Sequence, residues 1–361
     1  LDNNKITVAV AMSGGVDSSV SAALMKEKGY NVFGLTIKTW GYDQIPENDT
    51  GCCSLDTIYR AQMVADQLGI RHYTLDFTEK FNEVVIENFV SEYMKGRTPN
   101  PCVLCNKSIK WGSLLEKAQS LGADYLVTGH YAKIKKNTEN GRYYIERPAD
   151  KQKDQSYFLW ALSQTALSKT LFPLSDYNKS EIRKIASTLN LKSASTPDSQ
   201  EICFVPDNDY TKLLEIRIPE INNNLNGGDV IYKGKVVGKH RGYPYYTIGQ
   251  RKGLNISLGK PVYVSKIDSE NNVIIIDDED GLFSTDFYIK NVNLMYYKHF
   301  EGEKAVLIKV RYKDTGTIGT IQLLGDNRIK AKLFSPKKSV TPGQSAVFYE
   351  GDALIGGGII E

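Results

Sequence analysis

The chain has 361 residues, 41% of them hydrophobic and 24% charged, and a formal net charge of +3. That length exceeds one ordinary hydrophobic core, predicts two or three domains and leaves room for an enzyme. No stretch approaches the roughly 18 uninterrupted apolar residues of a membrane-spanning helix, and so small a charge does not by itself argue for a polyanionic partner.

Residues 5–12 (KITVAVAM) form an apolar run of strand length, followed by a Gly-rich turn and a helical stretch at 18–28. Next come a predicted strand at 32–38, a helix near 57–68 closed by Gly69, and a strand at 72–76. A helix at 113–121 leads into a short buried strand at 123–129 (ADYLVTG). Strands separated by helices predict an α/β fold, a parallel sheet with helices on both faces. Around Pro206 the texture changes, with Asn- and Gly-rich punctuation at 222–228 and period-two alternation at 305–312 (AVLIKVRY) and 315–323. Such segments indicate small antiparallel barrels or sandwiches. The expected division is an α/β domain at 1–206 and β-rich modules at 207–280 and 281–361, the last a β-barrel. Between Asp229 and Lys260, seven basic residues stand against one acid, interleaved with Tyr243, Tyr245 and Tyr246. This reads as a phosphate-contacting surface with stacking rings, or as the solvated basic face of a β module.

Residues 12–19 (MSGGVDSS) sit between the first strand and the first helix. Two glycines let the backbone turn sharply and approach a ligand. Ser13, Ser18 and Ser19 add hydroxyls beside a helix N-terminus, where free N–H groups and the helix dipole attract anions. The loop lacks the Lys of the GxxxxGK[ST] phosphate loop, so it is not built to hold a transferring γ-phosphate. The plainer reading is an ordinary strand-to-helix turn with a Ser cap.

Five cysteines and no signal-peptide pattern argue against a secreted disulfide scaffold and for a cytoplasmic setting, where grouped cysteines serve catalysis or metals. Cys102 and Cys105 form a CxxC within 97–106 (RTPNPCVLCN), and Cys203 lies within 198–204 (DSQEICF). A thiolate can carry a persulfide sulfur, and a second thiol can attack it and release the outer sulfur. Three other readings stay open. Cys52 and Cys53 with Cys102 and Cys105 could hold zinc, although a vicinal pair fits the usual spacing poorly. Cys203 could be a buried core thiol. The CxxC could be a thioredoxin-like redox pair, for which the preceding prolines give the wrong context.

Several motifs then agree: SGGVDS at 13–18, GRTPNP at 96–101 with LCN at 104–106, TGHY at 128–131, KDQSY at 153–157, ICF at 202–204 and YTIGQRKG at 246–253. Together they resemble the bacterial and organellar tRNA-specific 2-thiouridylases of the PP-loop ATP pyrophosphatase superfamily, over essentially the whole chain. The resemblance implies ATP and Mg2+ as cofactors, bound by Ala11, Met12, Ser13, Gly14, Gly15, Val16, Asp17, Ser18 and Gly129, with Ile37 beside the adenine. It implies Cys203 as the persulfide carrier and Cys105 as the second catalytic cysteine, forming a disulfide with Cys203 as sulfur leaves. Asn100, Pro101 and Cys102 should face the target base. His130, Lys153, Asp154, Gln155, Arg311, Tyr312 and Gln344 should touch tRNA.

The implied reaction adenylates O2 of the wobble uridine, after which sulfur attacks C2 and expels AMP. The β modules would grip the anticodon arm, and a persulfide donor or relay protein would supply sulfur. One position departs from the family: Cys102 stands where Asp is usual. It completes a three-cysteine set, Cys102, Cys105 and Cys203, like that of PP-loop thiolases carrying a [4Fe–4S] cluster, which is the alternative form of the sulfur carrier. A PP-loop synthetase would leave the cysteines idle, and a non-catalytic RNA-binding protein would leave the anion loop unexplained.

Overall fold

The computed structural model describes residues 5–39, 55–197, 202–205 and 209–361; Cys52 and Cys53, weighed above as zinc ligands, lie outside the described residues. Strands β1 (Thr7–Ala11), β2 (Asn31–Lys38), β3 (Arg71–Asp76), β4 (Tyr125–Val127) and β7 (Thr170–Leu171) form one parallel sheet in the order β3-β2-β1-β4-β7. Successive side chains of a strand point to opposite faces, and both faces of β1 are buried. Val8 and Val10 pack with Val16 and Val20 of α1 (Val16–Glu27), Val64 of α2 (Leu55–Leu68) and Ile182 of the helix Lys179–Thr188. Ala9 faces the other layer with Trp111, Leu114 and Ala118. The predicted α/β fold with two helical layers is therefore present. The sheet reverses its winding between β1 and β4, and such switch points open a crevice at the strands' carboxyl ends.

The helix expected at 113–121 is part of a longer run. A short helix, Pro101–Leu104, passes into a π-helical stretch, Cys105–Leu114, and then into α-helix Leu115–Ser120. π-Helical geometry recurs at functional sites.

The central module is a four-stranded sheet in the order β10-β11-β8-β9, built from β8 (Gly228–Tyr232), β9 (Lys235–His240), β10 (Tyr263–Asp268) and β11 (Val273–Asp277). The stacking surface expected here is not formed by its tyrosines. Tyr243, Tyr245 and Tyr246 are 3–4% exposed and belong to the core, with the Tyr243 hydroxyl donating to the Met94 carbonyl at 2.6 Å and that of Tyr245 to Asn222 Oδ1 at 2.9 Å. Three of the seven bases are also neutralised, Lys233 and Lys260 by Asp278 and Lys239 by Asp229. Arg251 and Lys252 remain exposed.

The last module is a closed six-strand barrel of β12 (Phe283–Leu294), β15 (Ile329–Lys338), β14 (Thr317–Leu323), β13 (Glu303–Lys309), β16 (Ser345–Glu350) and β17 (Ala353–Ile360), closed by the β12–β17 pairing. The strand expected to run to Tyr312 ends at Lys309. One connection was not legible in the sequence: the hairpin β5 (Lys133–Lys136) and β6 (Tyr143–Glu146), which lies between β4 and β7, pairs onto β17 through Ile145 and Leu354.

Candidate active site at the carboxyl edge of the parallel sheet

The loop after β1 is held from several sides. Met12 N–H donates to Leu35 O at 2.8 Å, and the buried Thr36 hydroxyl donates to Met12 O at 2.7 Å. His72 Nε2 lies 2.8 Å from the same Thr36 oxygen, and burial lowers its imidazole pKa from 6.5. Gly14 has φ +69°, and a Cβ there would run into Thr57 O of α2, so no other residue fits this turn. Gly15 is the N-cap of α1 and offers no side chain, which leaves the first N–H groups of the helix for an anion. The serines act differently from the expectation. Ser18 Oγ accepts from Ser13 N–H at 3.2 Å, and the Ser18 and Ser19 hydroxyls donate to Gly15 O at 3.1 and 2.9 Å. They brace the loop's own backbone.

Asp17, in the first turn of α1, accepts from the Tyr131 hydroxyl at 2.8 Å and from Lys179 Nζ at 2.7 and 2.8 Å. Tyr131 is fixed in turn by Gln155, whose Oε1 accepts from Tyr131 N–H at 2.9 Å while its own N–H donates to Tyr131 O at 3.0 Å. Lys179 opens a helix that starts with a capping box between Asn178 and Glu181, so its backbone is well set. Sequence reading missed Lys179, and no local motif marks it. Gly129, just beyond β4, is where this end of the sheet meets α1. A Cβ there would lie 2.8 Å from both Asp17 C and Ser18 N. Ile37, near the end of β2, is half-buried between two core clusters.

Asn100, the N-cap of the short helix Pro101–Leu104, accepts from Val103 N–H at 3.4 Å, and Pro101 occupies the first turn, where a missing N–H costs nothing. Cys102 is exposed, whereas Cys105 and Cys203 are half-buried and pack against one hydrophobic cluster. Phe204 anchors the second thiol, its ring 5.7 Å from that of Phe81 and 5.2 Å from that of Phe89. Among the described residues, which include all three of these cysteines, no group of three His, Cys, Asp or Glu is gathered to hold a metal ion. The three-thiol ligand set raised as the alternative is thus not gathered as a metal site: Cys102 is exposed, while the other two pack against one cluster.

The residues expected at tRNA fall into two groups. His130 keeps some exposed surface, yet its ring lies 5.4 Å from that of Trp111 and 6.0 Å from that of Phe172. Burial, with the Lys110 ammonium nearby, holds its pKa well below 6.5, so it is neutral at pH 7. Asp154 is buried and accepts from Ser156 N–H and Oγ at 2.9 and 2.6 Å, with Arg147 Nε 3.5 Å away. Gln344 turns inward, onto the backbone of residues 98 and 99. Lys153 is half-buried, Arg311 is exposed, and the Tyr312 ring lies 4.4 Å from that of Phe158.

A parallel sheet with an anion loop at its switch point, followed by a four-stranded β module and a closed six-strand barrel, defines a nucleotide-binding type of α/β protein with two appended β modules. Three family profiles match in tandem: tRNA methyl transferase HUP domain over residues 6–207, tRNA methyl transferase PRC-barrel domain over 221–278, and Aminomethyltransferase beta-barrel domain over 284–360. Curated relatives called tRNA-specific 2-thiouridylase MnmA match nearly end to end. That of Cytophaga hutchinsonii is 46% identical, covering 99% of this chain and 98% of its own. Those of Amoebophilus asiaticus and Salinibacter ruber are 48% and 45% identical, covering 98% and 99% of this chain and 95% of each relative. The chain belongs to the tRNA-specific 2-thiouridylase family.

Proposed function

We propose that this protein is an ATP-dependent sulfurtransferase that converts the wobble uridine of tRNA to 2-thiouridine, with sulfur carried as a persulfide on Cys203. The observation that carries this reading is one molecule holding both halves of the chemistry: an anion loop braced around Asp17, and Cys105 and Cys203 on the rim of one cluster. We assign nucleotide and sulfur chemistry to residues 1–206 and the grip on the anticodon arm to modules 207–280 and 281–361.

In this reading the N–H groups of residues 14–18 and the dipole of α1 hold the phosphates of ATP, while Ile37 and Gly129 flank the adenine. The loop fits such a ligand because α1 begins without a side-chain cap and its hydroxyls are already satisfied internally. Asp17 would give magnesium a carboxylate oxygen in exchange for a contact to Lys179, whose ammonium lies 2.7 and 2.8 Å from the two Asp17 oxygens and would then sit beside the phosphates. Held there, magnesium would supply positive charge against the leaving pyrophosphate. Asn100 and Pro101 line the approach of the flipped uridine, which must leave its stack to expose C2. Cys102 carries no carboxylate, so proton handling falls to other groups. The outer sulfur on Cys203 attacks C2 of the adenylated base and AMP leaves. The Cys105 thiolate then attacks Cys203 Sγ, freeing the 2-thiouridine and leaving a disulfide that a reductant must reopen. A cytoplasmic setting and a persulfide relay partner suit this cycle, since thiols stay reduced there. His130, Lys153, Gln155, Arg311 and Tyr312 are the proposed RNA-facing group.

The test is nucleoside mass spectrometry of unmodified tRNA incubated with the protein, a persulfide donor, a thiol reductant and ATP. The expected product is 2-thiouridine that requires ATP. Unchanged uridine under all conditions, or a sulfur-bearing base formed equally without ATP, contradicts the proposal.

A further inference from the structure

The segment that carries the chain into Asn100 and Cys102 is held from outside the α/β domain. Pro99 and Pro101 have no N–H, so this strap cannot pair as a strand does, and its carbonyls need donors from elsewhere. The donors come from the loop that precedes β16 of the barrel. Gln344 Nε2 donates to Thr98 O at 2.9 Å and Pro99 O at 3.2 Å, using both protons of its amide. In return Thr98 N–H donates to Pro342 O at 2.9 Å. Gly343 lies between these contacts with φ +91°, and a Cβ there would sit 2.9 Å from Thr98 O and 3.0 Å from Thr98 N. The loop is itself tied into the barrel, Gly343 N–H donating to Ile360 O at 2.9 Å and Ile360 N–H to Gln344 O at 2.8 Å. The helix before the strap is gripped by the central module through the Tyr243 hydroxyl on Met94 O.

We propose that loop 342–344 of the C-terminal barrel is a positioning element of the sulfur-transfer site, fixing the strap and, through the Asn100 cap, the turn that presents Cys102 and Cys105. This deepens the sulfurtransferase reading and rests on it. Gln344 then acts on the chain's own backbone, and the barrel contributes to turnover as well as to binding. A rigid strut is what a two-proline strap requires, because it has too few hydrogen bonds of its own to hold a base-facing turn in place.

The experiment uses the full-length chain with Gln344→Ala, Gln344→Asn and Gly343→Ala. Thiolation is followed against tRNA concentration at saturating ATP. Separately, alkylation of Cys102 by iodoacetamide is read by peptide mass spectrometry without tRNA or ATP. The positioning role predicts that Gln344→Ala lowers kcat about tenfold with KM for tRNA held within about twofold, and speeds Cys102 alkylation about threefold or more. Gln344→Asn, one methylene short of the strap, should not rescue, and Gly343→Ala should behave alike. ATP binding by each variant checks that the α/β domain is folded. A rise in KM with kcat and alkylation unchanged would make Gln344 an RNA contact and overturn the proposal, as would no change in either readout. If the parent protein makes no 2-thiouridine, the functional reading fails on its own, and the alkylation arm still decides whether the loop holds the strap.

Discussion

The anion loop and the thiol site are built in opposite ways. The loop's turn is mainly local: within residues 12–19, Gly14 and three internal serine hydrogen bonds set the backbone, with β2 and α2 closing on it from outside. The thiol site is assembled from distant pieces. Cys105 begins a π-helical stretch, Cys203 belongs to a separate segment, and they share a cluster because Phe204 inserts between Phe81 and Phe89. A local site should fail through its own residues, whereas an assembled one should fail through anchors that never touch the substrate.

The largest expected effect on the local side is that of Asp17→Asn, which removes the charge shared by Tyr131 and Lys179. It should lower the ATP-dependent rate about a hundredfold, measured as pyrophosphate release. On the assembled side, Phe204→Ala removes a ring that is 3% exposed. It should cut 2-thiouridine formation about tenfold while pyrophosphate release falls far less, at a cost of roughly 3–5 kcal/mol in local packing. Equal loss of both activities would erase the distinction between the two sites. Gly129→Ala places a methyl against Asp17 and Ser18, and should weaken ATP binding about tenfold with roughly 1–3 kcal/mol of destabilisation. Calorimetry with ATP and a urea midpoint check both.

The smallest effect is the pH response of the imidazoles whose pKa burial lowers. His72, His130 and His240 have folded pKa values below 6.5, lowered by burial, so the unfolded chain binds protons first as pH falls. Their contribution to stability is complete above about pH 6.5 and is lost progressively below it, before the lowered carboxylates such as Asp76 and Asp176 begin to titrate. The urea midpoint should therefore drop between pH 7 and pH 5.5, and His72→Gln should flatten that slope.

The same contrast explains what could be read from the sequence. The parallel sheet and the loop were legible because apolar runs of strand length and a Gly-Gly turn are local signals, and β1, α1, β2, α2 and β3 fall close to their predicted spans. Lys179 was not legible, since its partner Asp17 lies 162 residues away and nothing near it marks the pairing. The tyrosines at 243–246 were misread because Tyr243–Tyr245 form a 3-10 turn, where strand alternation says nothing about which rings face inward. The β5–β6 hairpin escaped because its strands have four residues each and their stabilising partner is in the barrel.

Whether adenylation and sulfur delivery are separable chemistries on one chain is decided by a single reaction of Cys203→Ser with tRNA, ATP and a persulfide donor. Pyrophosphate and 2-thiouridine are counted together. Separable chemistry gives tRNA-dependent pyrophosphate release near the parent level with 2-thiouridine absent. Undiminished 2-thiouridine, or loss of both products in a folded protein that still binds ATP, would contradict it.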